Sequence, residues 1–134
     1  MAQFTIPITV QATHLDSFGH VNNIIYLQWM QDVAWAHSQS LGLDLSAYQR
    51  LDAAMVARHH DMTYLAPCFT GDDLILKTWL THSDGFNLHR HYEFIRSQDD
   101  KKVFEGSTHW VCIRLSTGRP IRMPPEFKTA YILL

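Results

Sequence analysis

The stretch Leu15-Asp16-Ser17-Phe18-Gly19-His20-Val21-Asn22-Asn23-Ile24-Ile25-Tyr26-Leu27 joins a polar, glycine-containing turn to the start of an apolar run. Asn22 or Asn23 suits a helix N-cap, because its short side chain can accept a first-turn N–H, and Gly42 beyond Leu41 suits the C-terminal stop. The bracketed segment is long enough for about five helical turns. Within it Tyr26, Met30, Val33, Ala34, His37 and Leu41 recur at helical spacing, and Ile25, Trp29 and Ala36 form an adjoining stripe. Such a broad apolar surface predicts a helix largely wrapped by other structure.

Working outward, residues 4–12 alternate apolar and polar side chains over most of their length, the pattern of a half-buried strand, and Pro7 places that strand at an edge or bulge. Beyond the helix, residues 44–50 suit a second, short helix. The runs 55–64, 74–82, 86–96 and 103–115 then read as strands. Gly71-Asp72-Asp73, Ser83-Asp84-Gly85 and Gln98-Asp99-Asp100-Lys101 carry the turn chemistry of hairpin connections. The predicted order is one strand, a long helix, then four strands in an antiparallel meander, an α+β arrangement. Residues 123–126 read as an extended exit, and 127–134 as a tail without an assigned element. Five strands alone leave edges and a wide face to be covered, which dimerisation would accomplish.

A chain of 134 residues fits a single domain, and its 46% hydrophobic and 18% charged content is that of an ordinary globular protein. No run approaches the ~20 apolar residues of a membrane-spanning helix. The start, Met1-Ala2-Gln3-Phe4-Thr5-Ile6, lacks the basic and long apolar regions of a secretory signal, so the expected location is cytoplasmic. Cys68 and Cys112 show neither metal-ligand spacing nor a disulfide framework. A formal net charge of −2 with scattered cations argues against a nucleic-acid surface. His89 and His91 share a strand face, but this pair lacks the remaining ligands of a zinc site, and no metal is expected.

The chemistry concentrates at Asp16. A carboxylate in a turn just ahead of a helix start stands beside free backbone N–H groups and the positive end of the helix dipole. A base next to such an oxyanion site points to acyl transfer. Asp16-Ser17-Phe18-Gly19-His20-Val21-Asn22-Asn23 with Tyr26-Leu27, then Val56-Ala57-Arg58-His59 with Tyr64-Leu65-Ala66-Pro67, and Trp110-Val111-Cys112-Ile113 resemble the 4-hydroxybenzoyl-CoA thioesterase-like branch of the hotdog-fold acyl-CoA thioesterases. Within that branch they are most similar to the long-chain acyl-CoA thioesterase group. The resemblance implies a single hotdog domain over residues 1–134, with a long central helix wrapped by a curled five-stranded antiparallel sheet. It also implies a homodimer or homotetramer with active sites between subunits, acyl-CoA as substrate, and no metal or organic cofactor.

Carried over by position, the resemblance makes Asp16 the catalytic carboxylate, either a general base on water or a nucleophile forming an anhydride. It makes the backbone N–H of Asn23 the donor to the thioester carbonyl. His20 is an auxiliary candidate, since imidazole is a common proton-transfer group. Tyr26 is a candidate to line the acyl channel, and His59 to contact substrate. Coenzyme A carries phosphates, and among the strand cations Arg90, Arg96, Lys101, Lys102 and Arg114 the candidate is Arg90. Strand alternation sets His59, Asp61 and Thr63 on one face and His60, Met62 and Tyr64 on the other. Two other functions fit the same elements: an enoyl-CoA hydratase or dehydratase using an Asp and His pair, and a non-catalytic acyl-CoA binding module.

Overall fold

The computed structural model describes residues 3–134. Met1 and Ala2, which the sequence reads together with residues 3–6 as part of the first strand, lie outside the described residues. Strand β1 (Phe4–Thr9) is followed by a single 3-10 turn at Ala12–His14, helix α1 (Asn23–Ser40) and helix α2 (Leu45–Leu51). Strands β2 (Ala53–Tyr64), β3 (Asp73–Ser83), β4 (Asn87–Arg96) and β5 (Lys101–Arg114) come next, and helix α3 (Pro125–Ala130) closes the chain. Asn22 caps α1, its side chain accepting from the Ile24 N–H, and Gly42 follows the helix at a φ of 83°. This positive φ is where a residue without Cβ is least strained.

All five strands form one antiparallel sheet in the order β1-β3-β4-β5-β2. This corrects the four-strand meander. Strands β3, β4 and β5 are successive neighbours, but β2 lies beyond β5 at the far edge. Alternation within a strand records which side is buried and says nothing about which strand lies beside it. The segment between β2 and β3 is therefore a crossing rather than a hairpin. It leaves the β5 side, where Leu65 N–H donates to the Val103 carbonyl, and arrives at β1, where Gly71 N–H donates to the Val10 carbonyl. Pro7 sits in edge strand β1, opposite Ile75, where a missing ladder donor is tolerated.

The sheet's inner side is built from strict alternation. In β3 the inward set is Leu74, Leu76, Thr78 and Leu80, and in β4 it is Leu88, Arg90, Tyr92 and Phe94, all buried. Helix α1 packs Tyr26, Trp29, Met30 and Val33 against this surface, with Phe94 and Phe104 stacked beneath Tyr26. A second cluster at the other end joins Tyr48, Met55, Leu88 and Met123 to Phe127 and Tyr131, on and just after α3. The tail thus holds a helix the sequence reading left unassigned. Helix α1 is not wrapped on every side: Ile24 is 72% exposed and Trp35 is also on the surface. No helix among the described residues is long and apolar enough to cross a membrane.

Candidate active site

The Asp16 turn is a closed local structure. Leu15 and Val21 form an antiparallel bridge, and the Asp16 N–H donates to the His20 carbonyl at 2.7 Å. Inside this loop Asp16 Oδ1 accepts from the Phe18 N–H at 2.8 Å and the His20 N–H at 3.2 Å. Gly19 adopts a φ of 79°, the left-handed conformation that lets the chain turn back toward the carboxylate. Asp16 is therefore a turn-former through one oxygen. No hydrogen bond engages Oδ2 among the described residues.

The loop is fastened to the rest of the fold by the Val21 N–H, which donates to the Cys68 carbonyl, and by the Asn22 N–H, which donates to that of His14. At the start of α1, the Asn22 side chain occupies the Ile24 N–H at 3.1 Å and the Asn22 carbonyl takes the Ile25 N–H. No hydrogen bond engages the Asn23 N–H among the described residues. The Asn23 carbonyl is held by the Tyr64 hydroxyl at 3.2 Å.

Asp16, His20, Asn23 and Tyr26 line one cavity of about 260 Å³, together with Tyr64 and Leu65. Four of the residues singled out from sequence are thus brought together. Tyr26 is buried among Trp29, Tyr64, Phe94 and Phe104, and burial, then a hydrogen bond with Cys68, pushes its phenol far above the usual range. It is a neutral wall. Burial likewise raises the Cys68 and Cys112 thiols, the latter to about 11, so neither is a thiolate at neutral pH. The His20 ring packs edge-on to Phe69 and remains exposed.

Two sequence candidates lie elsewhere. His59 is exposed on β2 beside Asp61, 3.3 Å away, and does not line this cavity. Arg90, the strand cation chosen to meet the coenzyme A phosphates, is 2% exposed, and its guanidinium donates to His37 Nδ1 at 2.9 Å and Thr78 Oγ1 at 3.1 Å. Its position between Leu88 and Tyr92 turns it inward, which corrects the expectation. Of the other cations considered, Arg96 pairs with Asp99, Lys102 with Glu93 and Glu105, and Arg114 with Asp52. Tyr64, Leu65, Ala66 and Pro67 line the cavity although no site role was assigned to them. The signal was the alternation of β2, which sets Tyr64 on the same side as Met62, and that residue packs against the core.

Residues 10–131 match the thioesterase-like superfamily. The chain belongs to that family. Its relatives include the long-chain acyl-CoA thioesterase FadM of Escherichia coli, 26% identical over 125 residues covering 90% of this chain and 91% of the relative. The chloroplastic acyl-acyl carrier protein thioesterase ATL3 of Arabidopsis thaliana is 22% identical, over 98% of this chain and 70% of that protein. Among solved structures, the 1,4-dihydroxy-2-naphthoyl-CoA thioesterase Slr0204 from Synechocystis superposes with a TM-score of 0.88 at 24% identity, covering 96% of this chain and 95% of that one. SAV2348 from Staphylococcus aureus, solved in complex with CoA, gives 0.90 at 23% identity, covering 96% and 80%. The fold of this thioesterase-family chain is the hotdog, a central helix against a five-stranded antiparallel sheet.

Proposed function

We propose that this chain hydrolyses acyl-CoA thioesters to a free acid and coenzyme A, with Asp16 as the reacting carboxylate and the Asn23 N–H as the oxyanion donor. The observation that carries this reading is that Asp16, with Oδ2 unengaged, and Asn23, with its N–H unengaged, line the same cavity. As a base, Asp16 takes a proton from water as the water oxygen bonds to the acyl carbon. As a nucleophile, Oδ2 bonds to that carbon directly, and water later cleaves the anhydride. Either route places negative charge on the former carbonyl oxygen, where the Asn23 N–H and the positive end of α1 stabilise it. The carbon–sulfur bond then breaks and the electron pair leaves on the coenzyme A thiolate. One such oxyanion donor is worth ~10²–10³ in rate.

Tyr26 and Tyr64 line the acyl side of the cavity, and His20 is the auxiliary group at its exposed rim. His59 and Arg90 do not line this cavity within a single chain. The working form is a homodimer or a larger homo-oligomer. Tyr64 and Leu65 of the cavity, and Phe18 and Ile24 on the Asp16 turn and the start of α1, are exposed large apolar residues, and β2 offers an open sheet edge with Val56 exposed. Exposed apolar patches and open edges of this kind are ordinarily covered by a partner.

The test is release of free thiol from a panel of short, long and aromatic acyl-CoA esters. Turnover on at least one ester supports the reading. Consumption of an enoyl-CoA without thiol release would replace it with hydration, and tight ester binding without turnover would replace it with a binding module.

A further inference from the structure

Away from Asp16, the second half of α1 and the end of the chain enclose a cavity of about 200 Å³. Ala34, Trp35, Leu88, Arg90, Trp110 and Tyr131 are among its lining residues, and exposed Gln31 and Trp35 stand at its mouth. It shares no lining residue with the Asp16 cavity. Its volume exceeds the ~150 Å³ of an apolar cavity that accepts a benzene-sized molecule.

The polar inventory of this space is one-sided. Arg90 is 2% exposed and its Nε has no hydrogen-bond partner, and the Trp110 Nε1 is likewise buried without one. Tyr131 adds a hydroxyl, hydrogen-bonded to Ser38 at 2.8 Å and Tyr48 at 2.6 Å. No carboxylate lines the cavity, and Arg90 forms no ion pair among the described residues. A guanidinium has donors only, and the partners it has, His37 and Thr78, are neutral acceptors. Burying a cation without an anion, and an N–H without an acceptor, is costly and uncommon in folded proteins. Apolar walls with a few convergent donors are the general form of a small-molecule site.

We infer that this cavity binds a small apolar carboxylate, an aromatic or medium-length aliphatic acid whose carboxylate meets Arg90 and whose hydrocarbon part lies against Ala34, Trp35 and Leu88. The anion supplies the negative charge that the lining of the cavity lacks opposite Arg90, and the planar fork of Arg suits a carboxylate. The site stands independently of the thioesterase reading.

Calorimetric titration of the full chain with benzoate and hexanoate, and with neutral benzamide, tests it. The expected result is one acid bound per chain, with benzamide about 10-fold weaker or more, since the lost contact is a charge-assisted one. Arg90→Met removes the charge and Ala34→Leu fills the space; each is expected to abolish binding, with circular dichroism confirming the fold. If Arg90→Met does not fold, Ala34→Leu decides alone. Asp16→Asn is expected to bind the acids as the native chain does. Absence of saturable binding, equal binding of benzamide, retained binding in Ala34→Leu, or loss in Asp16→Asn would each overturn the assignment.

Discussion

Acidification from pH 7 toward 4 destabilises this fold through His37. The ring is 6% exposed, stacks on Phe4 at 5.0 Å, and accepts a hydrogen bond from Arg90 at Nδ1. Arg90 can only donate, so the ring is neutral and carries its proton on Nε2. Burial, and then the Arg90 charge, push its pKa from an ordinary 6.5 down to about 4. The unfolded chain therefore binds a proton near pH 6.5 that the folded chain refuses until near pH 4. The contribution is complete above pH 6.5 and is lost as pH falls toward the folded value. Proton linkage gives ~2 kcal/mol lost by pH 5 and ~3 kcal/mol by pH 4. Burial also pushes His60 and His89 down, adding slope of the same sign, so the diagnostic quantity is a difference between proteins. Urea denaturation followed by circular dichroism at pH 7, 6 and 5 supplies it. His37→Gln keeps an acceptor for Arg90 and removes the titration, so its stability is expected to fall ~2 kcal/mol less than that of the native chain between pH 7 and 5. Parallel losses in the two proteins would refute the assignment of this slope to His37.

A Cβ at Gly106 would meet the Asp61 backbone carbonyl at 2.8 Å, so Gly106→Ala is expected to cost ~1–3 kcal/mol and lower the melting temperature by several degrees. An unchanged melt would contradict the close β2–β5 approach. Asn22→Ala removes the cap on the Ile24 N–H and is expected to cost ~1 kcal/mol, read by chemical denaturation. Gly19→Ala meets no neighbouring atom, so its expected penalty of ~1 kcal/mol comes from the positive φ alone, and Gly19→Asn is expected to recover part of it.

The parts of the fold written in local chemistry were legible in the sequence. Asn22 and Gly42 bracket α1 because capping and left-handed backbone are properties of single residues, and the strands showed in their alternation. Strand neighbours were not legible, since the partner of β2 is set by where residues 65–72 carry the chain. The segment Met123-Pro124-Pro125-Glu126 reads as extended because proline disfavours helix interiors, yet Pro125 opens α3, where its missing N–H would be unbonded anyway. Phe127 and Tyr131, both buried, hold that short helix through tertiary packing. Arg90 was misplaced because charge outweighed period. Leu88, Tyr92 and Phe94 flank it at every second position and turn it inward. At the Asp16 site the motif located the carboxylate and the helix start, whereas the contribution of Tyr64 and Leu65 depends on how β2 crosses beside α1.

The most direct measurement of the catalytic assignment is thiol release by Asp16→Asn on the best acyl-CoA ester, beside the native chain, with circular dichroism and melting temperature recorded for both. Asparagine can keep the turn hydrogen bonds through its side-chain oxygen while losing basicity and nucleophilicity. The predicted result is a folded protein with nearly all turnover lost. A folded Asp16→Asn protein that releases thiol at the native rate would contradict the role of Asp16.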